Sequence, residues 1–432
     1  MDFSRKEKRT VLFAVTIGNL LEWYEIYLYV YWAPILAELF FDSESELINL
    51  TNTFLIFAIG FLARPIGGIF FGRLGDRIGR RKSMILSVLI MTIPTFVTGL
   101  LPTHAQVGIF APLILVVMRI LQAFPAGGEL PGAICYLYES SGLDKRRYLS
   151  SWASVGYQMG ILISTIECYL LEKFLTPEDL ISWGWRVSFL LGGIIGLCGL
   201  CLRYRLHETT LYQEMMTHET IVAEPILKVL NKYKKGILIG ILFCVLNSSE
   251  FYLLTVNIPN YLGQLLGTSY KDNFVITSLL VLWITIPLPF FGMLADKYSN
   301  KKMAIGSVIG TILLLYPLYY AITSSSWLIL IITIILIAFF FTCISALLPY
   351  LLANLFPTRV RFTCVGLSFN TVDAIVGGFT PVIVLYLTHY TGNSAAFCWL
   401  LLFCAFISCG SYLLIKKEKH VNADHTIKGF SG

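Results

Sequence analysis

One short pattern occurs twice in this 432-residue chain. The first copy is Gly72-Arg73-Leu74-Gly75-Asp76-Arg77-Ile78-Gly79-Arg80-Arg81-Lys82. The second, looser copy is Gly292-Met293-Leu294-Ala295-Asp296-Lys297-Tyr298-Ser299-Asn300-Lys301-Lys302. Each follows one apolar stretch and precedes another. A basic loop repeated at equal depth in two halves of an apolar chain marks a duplicated membrane protein, of the kind that assembles two similar helical bundles around a shared centre.

Twelve stretches are apolar over about 20 residues or more, enough to cross a bilayer. They cover roughly 11–38, 51–71, 83–102, 106–138, 150–172, 184–202, 236–266, 273–295, 302–322, 326–354, 362–388 and 394–415. Only 13% of residues are charged, where soluble domains carry about a quarter, and the mean hydropathy is +0.73. The expected fold is an all-α membrane protein with twelve transmembrane helices in two six-helix bundles. The boundaries expected are an N-terminal bundle over 1–203, a linker over 204–235, a C-terminal bundle over 236–416 and a short tail over 417–432. The basic start (Arg5, Lys6, Lys8, Arg9) leads into a span too long for the apolar core of a cleavable signal. The ten cysteines lie in or near apolar segments without ligand spacing, which reads as packing, so neither a metal nor a cofactor is expected.

Basic residues orient the chain. Of its 32 lysines and arginines, all but five fall at the N-terminus, in the loops 2–3, 4–5, 6–7, 8–9 and 10–11, or in the tail. Lys173 and Lys271 lie in opposite loops, and Arg64, Arg119 and Arg186 lie within or at the ends of spans. Both termini are therefore expected in the cytoplasm. The net charge of +6 is this bias spread over short loops, and no nucleic-acid partner is expected. The charges of the long 6–7 loop suggest an interfacial helix on the membrane surface.

In the first repeated loop, Gly72, Gly75 and Gly79 allow close approach and a sharp turn. Asp76 sits at the membrane edge among Arg73, Arg77 and Arg80, where a carboxylate can hold an arginine or a helix N-terminus in one conformation and release it in another. Gly72, Asp76, Arg77, Arg80 and Asp296 thus read as gating residues; the alternative is that the basic residues only set topology. The second copy has Ala295 for a glycine and fewer basic residues, so its latch should be looser.

Ionisable residues inside spans are expensive and suggest function by default. Glu22 and Glu25 share a helical face with Asn19 and Tyr29. Arg119, Gln122, Ala126 and Glu129 share another. Arg64 adjoins Pro65 on a span with Gly60, Gly67, Gly68 and Gly72. If spans 1, 2 and 4 surround one cavity, Arg64 and Arg119 meet Glu22, Glu25 and Glu129 there. Two close carboxylates cannot both ionise cheaply, and a nearby arginine favours the ionised form, so exchange of partners can move a proton. Glu22, Glu25, Arg119 and Glu129 are the proton-coupling candidates; a static ion-pair network is the alternative. Glu139 reads as a structural partner of loop arginines. Glu250 lies on a stripe with Asn247 and Asn257, and Asp373 on a face with Asn370 and Gly377; these acids, with Glu167, could hold a cationic group. Among the aromatics, Trp23 and Tyr157 are candidates to line a cavity and attract a quaternary ammonium, with Ser154 and Gln158 one turn apart beside them. The substrate-binding candidates are Arg64, Asn19, Trp23, Tyr29, Gln122, Tyr157, Gln158, Asn247, Glu250 and Asp373.

The 72–82 segment resembles the signature loop of the major facilitator superfamily. Gly18-Asn19-Leu20-Leu21-Glu22-Trp23-Tyr24-Glu25, Arg64-Pro65-Ile66-Gly67-Gly68, Arg119 to Gln122 with Gly127-Gly128-Glu129, Trp183-Gly184-Trp185-Arg186 and Leu355-Phe356-Pro357-Thr358-Arg359-Val360-Arg361 resemble its metabolite:proton symporter family. The Asn-rich span 7 ending in Pro259 to Leu262 is similar to the proline/glycine-betaine branch. Three departures stand out: Glu25 replaces an aspartate, Ala123 a glycine, and a long C-terminal extension is missing. The resemblance implies secondary active transport in a bacterial inner membrane, by alternating access, of a small solute with a proton, by a monomer that is not an enzyme. No GxxxxGK[ST] loop suggests primary transport. Three substrates stay open. A zwitterion (betaine, proline or another amino acid) fits the mixed charges. A di- or tricarboxylate or carboxylate siderophore would use Arg64 and Arg119. An organic cation exported by proton antiport would use Glu250 and the aromatics.

Overall fold

A computed structural model describes residues 5–43, 45–217, 226–259, 261–262, 270–324, 326–393 and 395–415. The tail expected over 417–432, part of the linker and the middle of the Pro259-to-Leu262 motif lie outside them. Among the described residues every regular element is helical. The spans are α1 (Arg5–Tyr31), α2 (Glu46–Ile78), α3 (Arg80–Thr98), α4 (Phe110–Glu139), α5 (Arg146–Phe174) and α6 (Trp185–Tyr204). After the linker come α7 (Ile226–Tyr252), α8 (Tyr270–Thr285, then Leu288–Lys297), α9 (Asn300–Thr323), α10 (Trp327–Asn354), α11 (Arg361–Val372, then Gly378–Thr391) and α12 (Phe397–Leu413). Nine of these are long and apolar enough to cross a membrane. The other three fall short for separate reasons: α5 carries Ser150, Ser151, Ser154 and Gln158 into the interior, a π turn over Asp373–Gly377 interrupts α11, and α12 has 17 residues.

Prolines account for most differences from the expected spans. The first apolar stretch ends as a helix at Tyr31 and restarts as Ala33–Phe40, with proline in its first turn, where a missing N–H costs nothing. The eighth breaks between Thr285 and Leu288 around Pro287. The seventh starts at Ile226, so the expected linker already contributes a turn or more of α7. The linker also carries a short helix, Thr210–Thr217, whose Tyr212 hydroxyl donates to the Arg77 carbonyl (2.8 Å).

Glycine lets α2 and α4 touch backbone to backbone. A Cβ on Gly67 would lie 1.7 Å from the Phe124 carbonyl oxygen, and one on Gly127 would lie 2.0 Å from that of Arg64. Small residues at such a crossing are how membrane helices pack closely, and this crossing fixes the height of Arg64. Gly79, at φ +105°, is the single residue between α2 and α3, in a conformation that L side chains rarely adopt.

The two halves meet through α2 against α11 and through α5 against α8 and α10. On the side carrying the basic loops, the repeated aspartates make the contact. Asp76 accepts from the backbone N–H groups of Phe362 (3.2 Å) and Thr363 (3.0 Å) and from the Thr363 hydroxyl (2.7 Å), at the start of α11. Asp296 accepts from the N–H groups of Arg147 (2.9 Å) and Tyr148 (3.1 Å), at the start of α5. Each carboxylate thus caps a helix of the opposite half, where the orphan N–H groups and the helix dipole both favour a negative charge. Glu139 adds a cross-half ion pair: Arg80 holds it through Nε (2.8 Å) and Nη2 (2.9 Å), and Arg361 of α11 donates to it at 2.6 Å. Gly72 allows this approach, since a Cβ there would lie 2.6 Å from Thr363 Cα. The Arg77 side chain is exposed, and the Arg77 carbonyl accepts from Tyr212 of the linker, not from the second half.

Asp76→Asn should loosen the basic side more than Asp296→Asn, because Asp76 accepts three hydrogen bonds and Asp296 two. In hydrogen–deuterium exchange, the amides of Phe362 and Thr363 should exchange about tenfold faster in the first variant, and those of Arg147 and Tyr148 about threefold faster in the second. Equal protection in variant and parent would show that the carboxylates hold nothing.

Candidate functional site

Between the halves lies a small cavity walled by Trp23 of α1, Ser154 and Tyr157 of α5, Asn247 and Phe251 of α7, Pro349 of α10 and Asp373 of α11. About 30 Å³ of it is open to the centre of a water molecule, room for one or two waters. Three of its rings are in mutual contact, with centroids 5.4 Å apart for Trp23–Tyr157, 5.1 Å for Trp23–Phe251 and 5.7 Å for Tyr157–Phe251. On the side away from the basic loops, the Tyr27 hydroxyl donates to Thr255 Oγ1 (2.7 Å), and Tyr31 packs edge-on to Phe274 (4.9 Å). On that side too, the two halves are therefore in contact.

Arg64 sits against one wall, 1% exposed. It donates to Glu22 of α1 and lies 3.6 Å from Asp373 Oδ2 of α11. One guanidinium therefore faces a carboxylate from each half. The Trp23 and Phe61 rings lie 5.6 and 5.4 Å from its centre, and the Tyr252 hydroxyl reaches Asp373 Oδ1 at 3.4 Å. Several buried polar atoms around it have no hydrogen-bond partner among the described residues: Arg64 Nε and Nη1, Glu22 Oε2, Asp373 Oδ2, Trp23 Nε1 and Asn247 Nδ2. Buried polar atoms are normally satisfied, so these are positioned for a ligand or water with both donors and acceptors.

Glu25 occupies a separate position one turn along α1. The Thr95 hydroxyl donates to it, Gln122 Nε2 donates to Thr95 Oγ1 (3.3 Å), and Arg119 Nη1 donates to Gln122 Oε1 (3.0 Å). Arg119 also lies over the Tyr29 ring at 4.4 Å, and Tyr29 donates to the Thr53 carbonyl. Among the described residues no carboxylate ion-pairs with Arg119. The sequence grouping of Arg119 directly with Glu22 and Glu25 therefore resolves into two sets: Glu22 with Arg64, and Glu25 linked to Arg119 through Thr95 and Gln122. The 3.6-residue period gives the face but not the reach of each side chain.

Other candidates are placed elsewhere. Glu129 pairs with Arg203 of α6, which also donates to the carbonyls of Ala14 (3.2 Å) and Met84 (2.8 Å), so Glu129 is bound inside the first half, apart from Arg64 and Arg119. Arg203 counts as a loop cation in sequence; only the helix end shows that it turns inward. Glu250 accepts from Thr311 of α9 (2.7 Å) and is not among the residues lining the cavity, although Asn247 one turn earlier is. Glu167 accepts from the Tyr24 hydroxyl. Asn19 donates to the Ala153 carbonyl (3.1 Å), joining α1 to α5. Gln158 is fully buried and neither of its amide atoms has a partner among the described residues. Thr95 and Ser345, whose hydroxyl shares a hydrogen bond with that of Tyr157 at 2.5 Å, carry site contacts that sequence alone did not single out, because a lone hydroxyl in an apolar span reads as a bond to its own helix.

Residues 15–381 and, overlapping them, 237–428 match the Major Facilitator Superfamily. A candidate proline/betaine transporter of Staphylococcus aureus (strain COL) is 34% identical over 91% of this chain and 84% of its own length. The citrate-proton symporter of Klebsiella pneumoniae is 30% identical over 88% and 86%, and the proline/betaine transporter of Escherichia coli (strain K12) 27% over 89% and 79%. Among solved structures, the proton:xylose symporter XylE superposes with a TM-score of 0.80 at 17% identity, over 96% of both chains. With its repeated loops, its twelve helices and these likenesses, the chain belongs to the Major Facilitator Superfamily and is a membrane transporter, not an enzyme.

Proposed function

We propose that this chain takes up a small zwitterion, such as betaine, proline or another amino acid, together with a proton, by alternating access. The observation that carries the reading is Arg64 held between Glu22 of one half and Asp373 of the other beside the ring cluster of Trp23, Tyr157 and Phe251. A zwitterion needs a cationic anchor for its carboxylate and aromatic faces for its ammonium group. A tricarboxylate would meet Glu22 and Asp373 with a single arginine in reach, which disfavours it, although one relative carries a citrate symporter's name. Glu250 points away from the cavity to Thr311, so the organic-cation reading loses its main anchor.

In this reading Glu25 carries the proton. It is 1% exposed and its contact is a hydroxyl, not a cation, so losing or gaining a proton breaks no ion pair of its own. Glu22, Arg64 and Asp373 serve substrate: when a substrate carboxylate takes Arg64, Asp373 is released and the tie between the halves is remade through the solute. The moving bodies are 1–203 and 236–416, joined by 204–235, with both termini in the cytoplasm of a bacterial inner membrane and a monomer as the working unit.

Uptake into proteoliposomes under an imposed pH gradient tests this directly. Labelled betaine or proline should accumulate with acidification of the lumen, and citrate should not compete; accumulation of citrate in their place would transfer the reading to carboxylates. Glu25→Gln should abolish gradient-driven accumulation while leaving counterflow, whereas Glu22→Gln should impair both. Full accumulation by the Glu25 variant would exclude it as the carrier. Trp23→Ala should raise KM for betaine about thirtyfold, the size of a desolvated cation–π contact of about 2 kcal/mol, with a smaller change in kcat; an unchanged KM would remove the ring cluster from the substrate site.

A further inference from the structure

Two prolines lie on the basic side of the central cavity, Pro131 in α4 and Pro349 in α10. A proline has no N–H, so the carbonyl four residues before it has no partner in its own helix. Those carbonyls belong to Gly127 and Ser345. Each is taken by a side chain from the opposite half. Asn370 of α11 donates to Gly127 O at 2.7 Å, and Ser154 of α5 donates to Ser345 O at 2.6 Å. The carbonyls are 218 positions apart and the donors 216, close to the 220 that separate Asp76 from Asp296. The two bonds are therefore copies of one device, like the aspartate latches. Asn370 lies seven residues inward of Thr363, and Ser154 six inward of Tyr148, about 9–11 Å along each helix.

We infer that these two proline-freed carbonyls form an inner gate on the basic side, with Asn370 and Ser154 as its positioning residues. The chemistry follows from what each atom can do. Asn370 spends its second N–H on Gly366 O of its own helix (2.8 Å), so the first serves only the crossing. Gly127 O and Ser345 O have no competing donor from the helix ladder, so the crossing bond satisfies them while the gate is shut. All four groups are buried: Asn370 is fully enclosed and Ser154 is 2% exposed. Parting the halves strips these carbonyls of their partners, and only water can replace them. The gate is dry when closed and must be wet when open. Its position links it to the cavity, since Ser154 and Pro349 both line that space and Asn370 precedes Asp373 by one turn. A solute that draws in α5 or α11 pulls on the same two bonds.

The inference rests on reading the chain as an alternating-access transporter, but its test needs neither substrate nor proton gradient, so either can fail alone. Hydrogen–deuterium exchange is followed in lipid nanodiscs over residues 144–151 and 358–366, where the aspartate latches protect the helix starts. Asn370→Ala removes one donor. Pro131→Ala and Pro349→Ala restore an N–H to the helix and give each carbonyl a rival donor. All three should speed exchange about fivefold in both segments, although the proline variants should melt no lower than the parent, because they repair a helix. Ser154→Ala, the smallest change, should give the same response and guards against Asn370→Ala failing to fold. If the proline variants and Ser154→Ala exchange at the parent's rate, the bonds hold the bundle together and gate nothing, and the inference is overturned.

Discussion

A guanidinium buried inside a lipid-bounded bundle must be met by negative charge or by hydrogen-bond acceptors, because the cost of leaving it alone is several kcal/mol or more. Arg64 meets this demand with carboxylates from both halves. Neither half alone supplies the match, so the position of Asp373 relative to Glu22 is a statement about how the halves sit together. The backbone contact of Gly67 and Gly127 with the neighbouring helix fixes the height of Arg64. Its partners lie on α1, which is buried along most of its length, and at the start of the π turn in α11, where the helix is least regular. The partner in the first half sits on packed structure, and the partner in the second half sits where the helix is irregular.

The same logic recurs toward the basic side. Aspartates cap foreign helix starts, Glu139 is shared by Arg80 and Arg361, and freed carbonyls accept from foreign side chains. In each case a polar group that its own half leaves unsatisfied finds its partner in the other. Apolar packing alone would gain little here, since lipid tails compete equally well for an apolar helix face. Polar groups that are incomplete until the halves close give a bundle in lipid a specific closed state. They also give it a reversible one, because water can stand in for each partner once a path opens.

Much of this was legible in sequence. The twelve spans, the duplicated loop and the superfamily follow from apolar length and a repeated spacing, both of which survive whatever the tertiary contacts turn out to be. The pairing of Glu139 with loop arginines also follows, since it depends on residues at helix ends, where neighbours are few. The interior charges were harder. Helical periodicity placed Glu22 and Glu25 on one face, and Arg119 and Glu129 on another, but three arginines compete for these acids. The winner is set by helix crossing points that sequence does not print. Arg203, in the last turn of α6, takes Glu129, and Glu250 turns to α9 because Thr311 offers a hydroxyl there.

Prolines illustrate the boundary most clearly. Pro131 and Pro349 sit inside otherwise continuous helices. The missing N–H is a local fact and the freed carbonyl follows from it without any structure. What cannot be read locally is which group answers that carbonyl, because Asn370 and Ser154 lie more than 190 residues from their acceptors. Duplication supplies the missing constraint. A proline-freed carbonyl in one half should have its counterpart at the same depth in the other, and the donors should be counterparts too. Both pairs obey this relation although the donors differ, an amide in one half and a hydroxyl in the other: the depth of the carbonyl is set by the proline, whereas any donor of the right reach can answer it.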